Sequence, residues 1–300
     1  MEYREDALNP RVLENRHGAK VSYVVLGEGP RTLMLANGLG GRLYTWEPLV
    51  RALPAGYRVI SWDYRGLFDS TPPTGRRWMS VDEHAADALA ILDAEGIDRA
   101  VFCGWSMGVQ VSLEATVQAP ERVAGLVLLN GTYGHVFSSG LQPAVRLPFA
   151  GQYLHALVEY VADHPTVARA IGHLAPHFMH PAVAFFWLVS GTRPSAMQPL
   201  LARYLREVFG DTTFSNYLRL FQELDAHSVL HHLREITAPA LVVSGGWDWL
   251  TPAYQSARIA ERLPHAEYMA LTRASHFVLL ERPETVIPAV MRFFDGRARW

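Results

Sequence analysis

Two rhythms of apolar residues divide the chain. Near its start, residues 12–15 and 20–26 predict two short antiparallel strands joined by the turn Arg16-His17-Gly18-Ala19. From Arg31 the pattern changes to a buried strand followed by a helix, several times over. Thr32-Leu33-Met34-Leu35-Ala36 is one continuous apolar run, and a helix-like segment follows at 43–53. Residues 57–62 predict the next strand. A helix over about 81–95 comes after it, opened by Ser80 with Glu83 three residues later as a capping box. Further strands are expected at 100–103 and 125–129. Strands apolar on both faces, with helices between them, imply a parallel sheet covered on each side.

The rhythm breaks at Asn130-Gly131. Between about 132 and 233 no buried strand stands out, only helical patterns punctuated by Pro143, Pro148, Pro165, Pro176, Pro181, Pro194 and Pro199. It resumes with Ala240-Leu241-Val242-Val243-Ser244, a helix at 252–263, a strand at 267–271 and a last helix toward Asp295. The simplest organisation is a core of residues 1–131 and 234–300, with 132–233 inserted as an all-helical cap over the sheet's C-terminal edge.

Composition narrows the function without naming it. The 300 residues are 49% hydrophobic and 19% charged, with a formal net charge of −2. That balance gives no electrostatic reason to expect nucleic acid or an anionic membrane as partner. The opening Met1-Glu2-Tyr3-Arg4-Glu5-Asp6 lacks the apolar core of a secretory signal, and the most apolar internal stretch, 181–190, is too short for a membrane span. The single cysteine, Cys103, has no partner for an internal disulfide and is expected to be a small buried apolar residue. A cytoplasmic protein is expected; the oligomeric state has no signature in the sequence.

The candidate chemistry begins at Gly104-Trp105-Ser106-Met107-Gly108, where a buried strand gives way to a helix. A turn this tight strains the serine backbone and presents its hydroxyl at the sheet end, with small residues required two positions away on either side. A serine hydroxyl is a weak nucleophile until a base takes its proton, and a histidine base must be held in one tautomer by a carboxylate. Gly245-Gly246-Trp247-Asp248 places Asp248 just past one buried strand, and Arg273-Ala274-Ser275-His276 places His276 just past the next. All three therefore fall at the sheet edge where open α/β sheets bind ligands.

Over nearly its whole length, from Val21 to the last helix, the chain resembles the α/β-hydrolases with a helical cap. Asn37-Gly38-Leu39-Gly40-Gly41 is similar to the family's His-Gly-type oxyanion loop, and Asp63-Tyr64-Arg65-Gly66 to its Asp-x-Arg-Gly turn. Asp248 with Pro252, and His276 with Glu281-Arg282-Pro283-Glu284, complete the match. The resemblance implies a mostly parallel eight-stranded sheet flanked by helices. It implies a Ser106, His276, Asp248 triad, and backbone N–H groups of Leu39 and Met107 as the oxyanion hole. The implied activity is carboxylesterase-like hydrolysis of a small to medium apolar ester through an acyl-enzyme, with no metal or organic cofactor. Related chemistries reuse the same triad: C–C hydrolysis of meta-cleavage products, perhydrolysis, lactone hydrolysis and acyl transfer. A ligand sensor with slow turnover is the alternative from a different class. Two positions depart from the family: Asn37 replaces a frequent histidine, and Phe68 stands where glycine is usual.

Other conspicuous residues have plainer readings. Asp63 and Arg65 are expected to fix their loop by local hydrogen bonds and an ion pair, and Glu281 to be a structural partner near the last helix. Trp105 is expected to pack in the core, away from substrate. His173, His177 and His180 recur at helical spacing, but the intervening prolines and the lack of a carboxylate favour packing or surface histidines over a metal site. His231-His232 reads as the cap's return to the core. Phe149, Tyr153, Phe178, Phe185, Phe186, Trp187, Phe209, Tyr217 and Phe221 are expected mostly as cap core, with some facing an apolar pocket.

Overall fold

The structure, a computed structural model, describes residues 1, 3–15, 17–73, 75–140, 149–174, 194–210 and 214–300. Eight strands form one sheet: β1 (Arg11–Glu14), β2 (Lys20–Leu26), β3 (Arg31–Ala36), β4 (Tyr57–Trp62), β5 (Ala100–Trp105), β6 (Val123–Leu129), β7 (Ala240–Gly245) and β8 (Ala266–Leu271). Their spatial order is β1-β2-β4-β3-β5-β6-β7-β8. β2 pairs antiparallel with both β1 and β4, and every later pairing is parallel. The two rhythms of the sequence are thus an antiparallel edge and a parallel body.

Helices α1 (Glu47–Ala52), α2 (Val81–Ala94) and α3 (Met107–Gln118) precede the insertion. Within it lie α4 (Val136–Ser139), α5 (Ala150–Asp163), α6 (Pro165–Leu174), α7 (Pro194–Gly210) and α8 (Phe214–Ala226). After it come α9 (Ala253–Arg262), α10 (Val278–Glu281) and α11 (Pro283–Gly296). Successive strand residues point to opposite faces, so each strand feeds two cores. Met34, Ile60, Phe102, Leu126 and Val242 pack with Ile91, Val109, Leu113 and Ile259 on one face. Leu33, Leu35, Val59, Val101, Cys103, Val127 and Val243 pack with Leu49, Val278, Val290 and Phe294 on the other. Cys103 is fully buried there, and burial pushes its thiol up.

Among the described residues the insertion between β6 and β7 is helical, with one isolated bridge between Gly134 and Ser228. It is tied down near both ends. Val229 N–H donates to the Tyr133 carbonyl at 3.1 Å, and Asp225 Oδ1 accepts from Phe137 N–H at 2.6 Å. On the core side, Asn216 Nδ2 donates to the Gly66 carbonyl at 3.0 Å. No helix among the described residues is long and apolar enough to cross a membrane.

Three local expectations are corrected. α2 begins at Val81, but Ser80 makes no side-chain cap bond and Glu83 turns to Arg65 at 3.0 Å, so no capping box closes. Asp63 and Arg65 do not pair with each other. Arg65 lies buried against Asp87 at 2.6 Å and Glu83, whereas Asp63 takes Arg42 at 2.9 Å. Arg65 is taken up by Glu83 and Asp87 of α2, while Asp63 is taken up by Arg42 just past the 37–41 loop, so each charge has a separate partner. Phe149 and Tyr153 are not cap core, being 66% and 73% exposed, while Phe209, Tyr217 and Phe221 are partly buried against the core clusters. Pro143, Pro148, Pro176, His177, Phe178, His180, Pro181, Phe185, Phe186, Trp187 and the apolar stretch 181–190 lie outside the described residues.

Candidate active site

Ser106 occupies the one residue between β5 and α3, at φ 55° and ψ −116°. A left-handed backbone is costly for any residue with a Cβ, and here the surroundings enforce it. A Cβ on Gly104 would lie 2.3 Å from the Gly108 carbonyl oxygen, and one on Gly108 would lie 1.9 Å from that of Ala36. In both cases the added carbon would run into backbone that cannot give way, so only glycine fits at either position. Ser106 N–H donates to the Leu129 carbonyl at 3.0 Å, which anchors the turn to β6. Met107, being the first residue of α3, has an N–H for which the helix offers no carbonyl.

Asp248, in the turn after β7, is buried, and its carboxylate is crowded with donors. Oδ1 accepts the backbone N–H groups of Leu250 at 3.0 Å and Thr251 at 2.8 Å. Oδ2 lies 2.9 Å from His276 Nδ1, 2.7 Å from Asn130 Nδ2 and 2.8 Å from Thr251 Oγ1. With Nδ1–H donated to this carboxylate, the other ring nitrogen of His276 carries the lone pair. His276 is held from behind. Ser275 donates through its N–H and its hydroxyl to Glu281 at 2.7 and 2.8 Å, and Trp105 Nε1 donates to the His276 carbonyl at 2.9 Å. Glu281 is therefore the structural partner expected of it.

Asn130 and Thr251 carry no functional signal in the sequence. Asn130 ends β6 at φ 48° and donates both to Asp248 and to the Ser275 carbonyl at 3.1 Å. Its only trace in the sequence is the Asn-Gly break that ends the strand rhythm. Thr251 sits three residues past Asp248, a spacing that resembles an ordinary turn.

The loop at 37–41 brings Leu39 to the cavity that Ser106 and His276 also line. Asn37 organises it from below: its Nδ2 reaches Ser61 Oγ at 3.0 Å and the Trp62 carbonyl at 2.9 Å, and its Oδ1 accepts Trp46 Nε1 at 3.0 Å. Gly41 N–H closes a turn on the Gly38 carbonyl at 2.8 Å. Trp105 packs on this turn, since a Cβ on Gly38 would meet its ring at 2.6 Å. It also borders the cavity beside Ser106, which corrects the expectation that it faces away. Arg42 leaves the loop to bind Asp63 and Asp69, and burial raises the Asp63 carboxyl to about 6 despite that guanidinium.

Ser106 and His276 open onto one cavity of about 100 Å³. Leu39, Trp105, Leu250, Thr251 and Phe277 line it from the core. Val136, Phe137, Tyr204, Tyr217, Phe221 and Leu224 line it from the insertion. Its walls are apolar apart from the tyrosine hydroxyls, Thr251 and the two candidate catalytic side chains. A larger cavity of about 210 Å³, bordered by Tyr3, Glu5, Arg42 and Asp63, touches none of Ser106, Asp248 or His276.

Residues 31–283 match the family model of the alpha/beta hydrolase fold. The chain belongs to that family. Among relatives of this hydrolase, a putative carbamate hydrolase, RutD, from Caulobacter segnis is 28% identical over 268 residues, covering 89% of this chain and 92% of the relative. A hydrolase from Pseudomonas aeruginosa superposes with TM-score 0.74 at 26% identity, over 96% of this chain and 98% of its own. An enol-lactonase from Burkholderia xenovorans superposes with TM-score 0.75 at 25% identity, over 95% of this chain and 100% of its own.

Proposed function

We propose that this alpha/beta hydrolase cleaves small, apolar carboxylic esters, open-chain or cyclic, by nucleophilic attack of Ser106. His276 takes the Ser106 proton as the hydroxyl adds to the carbonyl carbon, and Asp248 holds the ring and stabilises the imidazolium that forms. The negative charge that develops on the carbonyl oxygen is met by the backbone N–H groups of Leu39 and Met107. His276 then returns the proton to the leaving alcohol, and water releases the acyl group by the same steps in reverse order of roles.

One observation carries this reading. His276 is fixed at 2.9 Å to a buried, fully hydrogen-bonded Asp248 while sharing an apolar cavity with the strained Ser106. A strained serine, a tautomer-fixed histidine and a desolvated wall are what acyl transfer needs and what a mere scaffold has no reason to keep. The volume of about 100 Å³ favours short acyl chains over long ones.

The test is a panel of p-nitrophenyl esters of increasing chain length, with a lactone and an aryl carbamate alongside. The last two represent the bonds named for the lactonase and carbamate hydrolase relatives. Activity should be greatest on short esters or lactones, and Ser106→Ala should abolish it while leaving a cooperative unfolding transition. Mass spectrometry should find the acyl group on Ser106. Substantial turnover by the alanine variant would sink the assignment. A fluorophosphonate adduct on Ser106 without steady-state turnover of any panel member would make the protein a sensor instead.

A further inference from the structure

The role proposed for Leu39 is played by its backbone N–H, and the hydrogen bond on its own carbonyl comes from the insertion. Tyr204, on α7 and 7% exposed, donates its hydroxyl to the Leu39 carbonyl at 2.6 Å. Two residues back, Tyr64 donates to the Asn37 carbonyl, also at 2.6 Å. Two tyrosines therefore hold alternate carbonyls of one short strip, Tyr64 from the core and Tyr204 from the cap. The N–H of Leu39 lies on the backbone between those two fixed points, so its direction depends on both.

The packing agrees. The next residue, Gly40, has φ +75°, and a Cβ there would lie 2.7 Å from Val208 Cγ2, 3.0 Å from Tyr217 Cε2 and 3.3 Å from Tyr204 Oη. Both α7 and α8 thus press directly on the turn. The Tyr204 hydroxyl has one proton. Given to Leu39, it leaves the oxygen as an acceptor toward the Tyr217 hydroxyl, 3.4 Å away. Burial drives Tyr204 ionisation well above the ordinary tyrosine value, so it remains a neutral donor across the working pH range.

We infer that Tyr204 is a positioning residue through which the seated cap aims the Leu39 N–H at the reacting carbonyl. The oxyanion site is then complete only while α7 is docked on the loop. This rests on the proposed role of Leu39, and the experiment separates the two. An oxyanion donor acts on the tetrahedral state far more than on the planar substrate. A trifluoromethyl ketone, which forms a tetrahedral adduct as Ser106 Oγ adds to its carbonyl carbon and the proton passes to His276, reads that interaction. The matching methyl ketone, bound without addition, does not.

In the full chain, Tyr204→Phe should lower kcat about tenfold with KM within about twofold, a fraction of what losing a whole donor costs. It should weaken trifluoromethyl ketone inhibition by about the same factor and leave the methyl ketone unchanged. Tyr217→Phe, which alters the same cavity but leaves the Tyr204 hydrogen bond to the Leu39 carbonyl in place, should move both ketones together. If Tyr204→Phe does not fold, Val208→Ala loosens the same contact on Gly40 and should shift the ratio of the two inhibition constants in the same direction. An unmoved ratio in the tested variant, or an equal shift in Tyr217→Phe, would overturn the inference alone. A wild-type protein that forms no covalent adduct with the trifluoromethyl ketone would overturn it together with the proposed function.

Discussion

Around Asp248, four N–H groups and the hydroxyl of Thr251 converge on one buried carboxylate. A buried carboxylate without such donors would be protonated or displaced. Of the four, Asn130 is the one that can be removed without disturbing the turn that carries Asp248. Asn130→Ala should lower kcat about tenfold with little change in KM, because a hydrogen bond to a charged group contributes roughly 1.5–3 kcal/mol and only part of it is felt in the transition state. Asp248→Asn should cost a factor on the order of 10⁴ through loss of tautomer control. If Asn130 acts through Asp248, the two effects are not additive, and Asn130→Ala in the Asp248→Asn background changes kcat by less than about twofold. Fully additive effects would assign Asn130 a separate role. Asp248 and His276 are legible in the sequence because each follows a strand by a few residues, Asp248 the buried β7 and His276 the half-exposed edge strand β8. Asn130 is not, since its contact depends on β6 lying beside β7, with Leu129 paired to Val243. Adjacency of that kind is a property of the sheet and leaves no mark on local spacing.

At the level of loops and elements, two positions pose opposite questions about glycine. Gly108 has no alternative, since its Cβ would enter the Ala36 carbonyl, and Gly108→Ala should destabilise by about 3 kcal/mol. Phe68 stands where the family favours glycine, and the backbone nonetheless keeps φ at 50°. That conformation costs a residue with a Cβ about 1–2 kcal/mol. The ring recovers more. It is half-buried, packs against the core, and lies 4.9 Å beneath the guanidinium of Arg42. Burial of a full phenylalanine side chain stabilises by roughly 1.5–3 kcal/mol, and a glycine there would also free the unfolded chain. Phe68→Gly should therefore lose about 1 kcal/mol in chemical denaturation, and a stabilised variant would show that strain outweighs packing. The parallel body was readable because β3, β5, β6 and β7 are near-continuous apolar runs. The missing capping box was not, because Glu83 is claimed by Arg65, 18 residues away along the chain but adjacent in space. For the aromatic residues of α5 the helical period is visible, whereas which face meets the core is decided by the neighbouring helices.

For the molecule as a whole, two buried groups act with opposite sign on stability against acid. His84, on α2, is fully buried with its ring 4.8 Å from Tyr64, and burial together with the charge of Arg65 lowers it to about 3. The unfolded chain takes up a proton at this residue near its ordinary value of 6.5, while the folded state resists until about 3. Its contribution to stability is therefore present above 6.5 and lost progressively as pH falls toward 3. Asp63 runs the other way. Its folded value of about 6 lies above the ordinary 3.8, so its contribution is fully present below 3.8 and lost as pH rises through about 6. Between pH 4 and 6 the two groups offset each other, and the wild-type curve should be flatter than either would make it alone. Replacing one should uncover the other. Relative to wild type, His84→Leu should gain on the order of 2 kcal/mol between pH 6 and pH 4, whatever its offset at neutral pH. Asp63→Asn should lose stability relative to wild type over the same interval. Urea titrations at half-unit steps of pH give both difference curves directly, since groups common to variant and wild type cancel. Difference curves that stay level for His84→Leu would mean that the unfolded and folded chains protonate this histidine alike, and that burial does not hold it neutral.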